Sequence, residues 1–157
     1  LYSTDAGGGH IQLQLEDTLP PIEADDGRLR QLLHNLIKNA LEAVLQKNTA
    51  LLHISTRCME KEACRFVELR VQDNGPGIPE ALVGQIFEPY VTTKPKGTGL
   101  GLAIVKKIVE EHGGMIWAEN GENHGACFVI RLPVNKDITK LTSPTHHHQV
   151  GNPHAAA

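Results

Sequence analysis

Gly97-Thr98-Gly99-Leu100-Gly101-Leu102 leads from a lysine-flanked loop straight into an apolar, helix-patterned segment, an arrangement suited to cradling a phosphate. Glycine lets the main chain approach a ligand closely, and free N–H groups at a helix start carry partial positive charge toward an anion. Lys94 and Lys96 would add point charges. A second group, Asp73-Asn74-Gly75-Pro76-Gly77-Ile78, follows the apolar-rich run from Phe66 to Val71 and reads as a strand end opening into a tight turn. Asp73 there can accept a hydrogen bond from an exocyclic amine such as adenine N6, which guanine O6 does not offer, while Gly75 and Gly77 leave room for a base. The same residues also suit an ordinary Asn-Gly turn in which Asp73 bonds loop amides. Third, Asn35 and Asn39 stand four apart in a helical pattern, so they share a face one turn apart. Asparagine is a poor helix former, and its neutral amide oxygen suits hard, oxygen-seeking Mg²⁺; two exposed asparagines bonded to water are the plain alternative.

The elements that must position these residues are readable in outline. From Asp25 to Gln46 an apolar stripe of Leu29, Leu32, Leu33, Leu36, Ile37, Ala40, Leu41 and Val44 predicts a helix, with Asp25 or Asp26 as its cap. Residues His10 to Leu15 precede it as a strand. Runs at Leu51 to Arg57 and Cys64 to Gln72, joined by the charged stretch Met59 to Ala63, predict a hairpin. Glu80 to Ile86 reads as a short helix after Pro79, and Tyr90 to Lys96 as a mobile loop. Leu100 to His112 has helical spacing and stops at Gly113-Gly114. Met115 to Glu119 and Ala126 to Leu132 close the pattern as two strands around a turn. Lys38 and Glu42, four apart, read as a surface ion pair. Periodicity by itself supports only a layer of helix against a layer of sheet.

Taken together and in this order, the segments resemble the GHKL family of ATP-binding domains, and within it the catalytic domain of bacterial sensor histidine kinases. Asn35 to Ala40 matches the N box, Asp73 to Gly77 the G1 box, Phe87-Glu88-Pro89-Tyr90 the F box and Gly97 to Leu102 the G2 box. The resemblance extends from about His10 to Pro133. The wording Phe-Glu-Pro-Tyr-Val-Thr-Thr-Lys is most similar to the nitrogen-regulation (NtrY/NtrB-like) branch, with Tyr90 where the F box often ends in Phe. The resemblance implies an α/β sandwich: a mixed, mostly antiparallel sheet covered on one face by helices, with ATP between the N-box helix and the loop from Phe87 to Thr98. It implies Asn39 as the Mg²⁺ ligand, Asn35 supporting it, and Asp73 on adenine N6. Ala43, Gly75, Gly77, Ile78 and Tyr90 would border the nucleotide, and Lys94 with the backbone of Gly97, Thr98, Gly99, Leu100, Gly101 and Leu102 would hold its phosphates. The implied partners are a dimerisation domain carrying the phosphoacceptor histidine and a cognate response regulator.

None of the nine histidines stands before an acidic residue on an amphipathic helix, so the phosphoacceptor is expected outside this chain. Two other classes stay open: a hydrolysing ATPase of the gyrase, chaperone or mismatch-repair type, and a non-catalytic nucleotide-binding module or anti-sigma serine kinase. The hydrolysing relatives carry a glutamate one turn before the metal-binding asparagine, and here that position is Asn35, which cannot act as a general base. The chain has 157 residues, 40% of them hydrophobic, a size suited to one core. Its net charge of -3 and 4% aromatic content give no support for a nucleic-acid surface. No apolar run nears the roughly 18 residues of a membrane span, so the fragment is expected to make no direct membrane contact and to be a cytoplasmic domain, whether or not its parent is anchored in the inner membrane. Three cysteines, Cys58, Cys64 and Cys127, cannot all pair within one chain and match no zinc spacing; reduced thiols are expected. Residues 1–9 read as a linker remnant, 10–133 as the catalytic domain, and 134–157, with His146, His147 and His148, as a disordered tail.

Overall fold

The computed structural model describes residues 2–6, 9–44, 49–94, 97–122 and 125–134. Among these described residues, six strands form one sheet in the order β1-β2-β3-β4-β6-β5. They are β1 (Tyr2–Ala6), β2 (Gly9–Leu15), β3 (Ala50–Lys61), β4 (Cys64–Asp73), β5 (Met115–Asn120) and β6 (Ala126–Pro133). Only β2 and β3 pair in parallel, with α1 (Asp26–Val44) between them in sequence; every other pairing is antiparallel. The second helix, α2 (Gly101–Glu111), packs beside α1 and over β5. The expected mixed, mostly antiparallel sheet with helices on one face is what forms.

Two-residue alternation assigns the faces. Leu52, Ile54, Val71, Phe128, Ile130 and Ala118 point to the helices and join one core with Leu32, Leu36 and Ala40 of α1 and Val105, Ile108 and Val109 of α2. The buried residues of α1 recur every four positions as Leu32, Leu36, Ala40 and Val44, a single ridge laid on the sheet. Asp25 caps the helix as expected: its Oδ1 accepts from Arg28 N at 2.8 Å. The far end of α2 is tied to that cap, because Asp25 N donates to His112 Nε2 and Arg28 holds Glu111 at 2.7 Å. Helix α2 ends as glycine placement predicts, with Gly113 at φ +70° and Gly114 N donating to Val109 O.

Several boundaries differ from the sequence expectation. The hairpin strands run on through Met59 to Lys61 and turn on Glu62 and Ala63, whose φ values are +53° and +62°. These two lack the glycine or asparagine that normally announces such a turn, so the charged stretch reads as a loop until its cross-strand pairing is seen. Within the stretch expected as a linker remnant, Tyr2–Ala6 pairs antiparallel with β2. The exposed backbone edge of β2 gives that segment a partner independent of any core side chain. Glu80–Leu82 is one 3-10 turn rather than a helix to Ile86, continued by successive i to i+3 bonds such as Gln85 N to Leu82 O. Val134 N bonds Arg65 O, one residue past the expected bound at Pro133. The tail expected to be disordered lies, from 135 on, outside the described residues, as do residues 95–96 of the expected mobile loop.

The other face of the sheet carries charge. Glu68 has no solvent exposure and receives Arg57 at 2.8 Å, Arg131 at 2.9 Å and Arg70 at 3.4 Å. Arg131 lies between Phe66 and Trp117, 4.7 and 4.8 Å from their ring centres. Burial pushes the Glu68 carboxyl up, but the hydrogen bonds from Arg57 and Arg131 outweigh it and leave the carboxyl below its ordinary value of 4.5. A lowered folded value stabilises above the unfolded one and loses that contribution as pH falls through the folded one. Glu68→Gln should therefore cost about 2 kcal/mol near neutral pH. Denaturant titrations of both proteins from pH 7 down to about pH 3 should show the gap narrowing with acidity; a gap independent of pH would mean that the carboxylate charge contributes nothing.

Candidate functional site

A cleft of about 670 Å³ opens between α1, the segment after Ile86 and the start of α2. Its floor is the flank of α1 next to the buried ridge, so the burial of Leu36 and Ala40 turns Asn35 and Asn39 toward the opening. Asn35 Nδ2 reaches Gly101 O at 3.5 Å, joining α1 to the first residue of α2. Lys94 comes across from the opposite wall, where its Nζ donates to Asn39 Oδ1 at 3.0 Å and pairs with Glu42. Lys38 also lines the cleft, but the ion pair of Glu42 is made to Lys94 and not to Lys38 as the helix spacing suggests.

The glycine turn is shaped by close approach. Gly99 has φ +70°, and a Cβ there would lie 2.5 Å from the Tyr90 carbonyl carbon. Tyr90 itself has φ +66° and donates its N–H to Gly99 O at 3.0 Å. This contact, with Tyr90 in a backbone region that non-glycine residues rarely adopt, locks the end of the F-box segment to the glycine turn. A Cβ on Gly97 would meet Thr92 Oγ1 at 2.6 Å. The first intrahelical bond of α2 runs from Ile104 N to Leu100 O. The amides of Gly101 to Ala103 precede it and point out of the helix start beside the cleft.

Asp73 sits at the end of β4, 4% exposed, and its Oδ1 accepts from Gly75 N at 2.8 Å and Ala126 N at 3.3 Å. This group lies one turn farther along α1, because a Cβ on Gly75 would meet Ala43 O at 3.0 Å. Asn74 fastens the turn to β3 through Leu51 N and Thr49 O. Gly97, Thr98, Gly99, Gly101 and Leu102 line the main cleft with Asn35, Asn39 and Lys94. Leu100 and the Tyr90 ring, 37% and 78% exposed, are not among its lining and flank it as open apolar surface. Asp73, Gly75, Gly77, Ile78 and Ala43 are likewise outside that lining, and Asp73, Gly75 and Ala43 cluster at the end of α1.

Three contributors were not singled out in the sequence, and a fourth, Glu42, was read there only as the surface partner of Lys38. Asn120 holds Ile78 from both sides, accepting from its N–H at 2.7 Å and donating to its carbonyl at 2.8 Å. Gly125 passes so near the Asp73 carbonyl that a Cβ would lie 1.7 Å from its oxygen. Thr92 Oγ1 accepts from Lys94 N at 3.1 Å, and Glu42 anchors the Lys94 ammonium. Asn120, Gly125 and Glu42 act across the fold, 42 to 52 residues from their partners, while Thr92 acts locally. Among the described residues no three His, Cys, Asp or Glu side chains gather as a metal cage, and all three cysteines are unpaired thiols. No described helix is long and apolar enough to cross a membrane.

Comparison with known proteins finds similarity over most of the chain. The family described as histidine kinase-, DNA gyrase B-, and HSP90-like ATPase matches residues 24–136. Sensor histidine kinase ZraS of Escherichia coli K12 is 46% identical over 137 residues, which are 86% of this chain and 28% of ZraS. A putative NtrY-like sensor histidine kinase of Rickettsia bellii is 39% identical over 127 residues, 81% of this chain and 20% of that protein. The catalytic domain of histidine kinase ThkA superimposes with a TM-score of 0.69 at 39% identity, covering 80% of each chain. Full-length ShkA in complex with AMPPNP gives 0.69 at 31% identity over 82% of this chain and 26% of ShkA. The chain thus spans under a third of ZraS, of the NtrY-like protein and of full-length ShkA.

Proposed function

The chain belongs to the family of histidine kinase-, DNA gyrase B- and HSP90-like ATPases, as a histidine kinase catalytic domain, and we propose that it binds ATP with Mg²⁺ and passes the γ-phosphoryl group to a histidine on a dimerisation domain outside this chain. The observation that carries the reading is the convergence in one cleft of Asn39, Lys94 and the glycine turn at the start of α2. Phosphoryl transfer asks a protein for positioning and charge neutralisation more than for covalent chemistry, and those are what these groups offer.

Asn39 presents an amide oxygen, and Mg²⁺ commonly takes one or two protein oxygens, several waters and substrate phosphates. The donor set therefore fits a metal carried in with the nucleotide, with Asn35 holding the surrounding waters or phosphates. Bound there, the ion supplies neutralisation of the phosphate oxygens. The amides of Gly101 and its successors face the same anion from the helix start, and Lys94 adds a mobile positive charge. On the other side, the Gly75 and Ala126 amides fix one oxygen of Asp73, which orients the carboxylate to accept from adenine N6. Gly75, Gly77, Ile78 and Ala43 border the base. Exposed Tyr90 and Leu100 beside the cleft mouth give the phosphoacceptor domain an apolar surface to dock on. A response regulator would then receive the phosphoryl group from that histidine. Asn35 supplies an amide where hydrolysing relatives need a base, which favours transfer over hydrolysis.

Calorimetry should show ATP binding well above GTP. In Asp73→Asn the amide oxygen would keep the two backbone donors and turn N–H toward the adenine amine, weakening ATP by about 1 to 3 kcal/mol. Equal ATP and GTP affinity, or an unaffected variant, would refute the base assignment. Incubation with γ-labelled ATP and a sensor-kinase dimerisation domain should give acid-labile label on histidine. Asn39→Ala should abolish that label while the fold persists, since alanine is the better helix former; near-normal transfer by the variant would remove Asn39 from the site.

A further inference from the structure

Lys94 occupies the very oxygen that the proposed function gives to the metal. Its Nζ lies 3.0 Å from Asn39 Oδ1, and its second partner is the Glu42 carboxylate, three residues beyond Asn39 on the same helix. Asn39 Oδ1 cannot serve an ammonium at that distance and a divalent ion at about 2.1 Å without placing the two cations against each other. Both Lys94 and Glu42 are about one-third exposed, 33% and 36%, so the pair is accessible to exchange and is not sealed in the core. Lys94 also belongs to the wall that closes the cleft, where Thr92 Oγ1 takes its backbone N–H; fastening its side chain to α1 fastens that wall.

We propose that Glu42 is a positioning residue that holds the Lys94 ammonium on the Asn39 oxygen, so that binding of a metal-nucleotide is an exchange of one cation for another that frees the wall from Tyr90 to Lys94. The inference rests on the assignment of Asn39 to the metal. Asn39 keeps a positive partner in both arrangements, and Lys94, displaced from it, is released next to the arriving phosphates. No bond is made or broken beyond these contacts. Glu42 has a distinct consequence from a residue that merely stabilises the helix: it opposes only ligands that bring a cation to Asn39.

The test is calorimetry on the whole chain with a non-hydrolysable ATP analogue, with and without Mg²⁺, and with adenosine. Glu42→Gln should raise affinity for the Mg²⁺-bound analogue about three- to fivefold, the scale of a partly exposed ion pair, and leave adenosine unchanged. Glu42→Asp, which keeps the charge, should fall between. Because removing a carboxylate near phosphates could help by simple electrostatics, the cycle is completed with Lys94→Met: in that background Glu42→Gln should gain nothing. Unchanged or reduced affinity in Glu42→Gln, a gain that is equal without Mg²⁺, or a gain that survives in Lys94→Met would each overturn the exchange while leaving nucleotide binding in place. A wild-type chain that binds adenosine and the analogue not at all would overturn the nucleotide reading and the exchange together.

Discussion

Everything at the cleft depends on how α1 is laid on the sheet. Leu32, Leu36, Ala40 and Val44 are 0 to 2% exposed and form one straight ridge against the core. Since side chains on a helix are fixed in angle relative to one another, burying that ridge leaves Asn35 and Asn39 no orientation except toward the cleft. A helix buried by apolar area alone could rotate by small amounts; here the Asp25 cap, its bond to His112 and the Arg28 to Glu111 pair remove that freedom at one end. The two asparagines cost helix propensity, and the packing of their neighbours offsets it.

The second half of the cleft is built from backbone rather than side chains. Gly99 and Tyr90, at φ +70° and +66°, are pressed together, and a single bond from Tyr90 N to Gly99 O joins them. Glycine at 97, 99 and 101 thus serves two different ends: Gly97 and Gly99 admit neighbouring atoms that a Cβ would strike, while Gly101 has open space around it and begins α2. On the proposed reading, an anion at that helix start would meet N–H groups on one side and Lys94 on another. The sheet's charged face, centred on Glu68, has a separate task, holding β3, β4 and β6 in register across three arginines.

What the sequence discloses is what is encoded locally. The ridge of α1, the Asp25 cap, the Gly113-Gly114 stop and the glycine turn are all short-range patterns, and each appears where its residues place it. Contacts set by the sheet's pairing are not local. Asn120 on Ile78, Gly125 under Asp73 and Glu42 on Lys94 bring together residues 42 to 52 positions apart, and no spacing rule reaches that far. Glu42 illustrates the error such rules make: Lys38 stands at the favourable four-residue distance, yet the carboxylate turns to a lysine on the facing wall. The Glu62-Ala63 turn fails for the opposite reason, being local but made of residues that rarely take positive φ.

The proposed function puts phosphates on the glycine turn at the start of α2, across from Asn39. Amide hydrogen exchange from Gly97 to Ala103, measured with adenosine, ADP with Mg²⁺ and an ATP analogue with Mg²⁺, addresses it most directly. Protection should rise in that order, with the largest step on adding the terminal phosphate, because each added phosphate engages further N–H groups and charge. Equal protection by all three ligands would contradict the account, since the turn would then be answering only to the base.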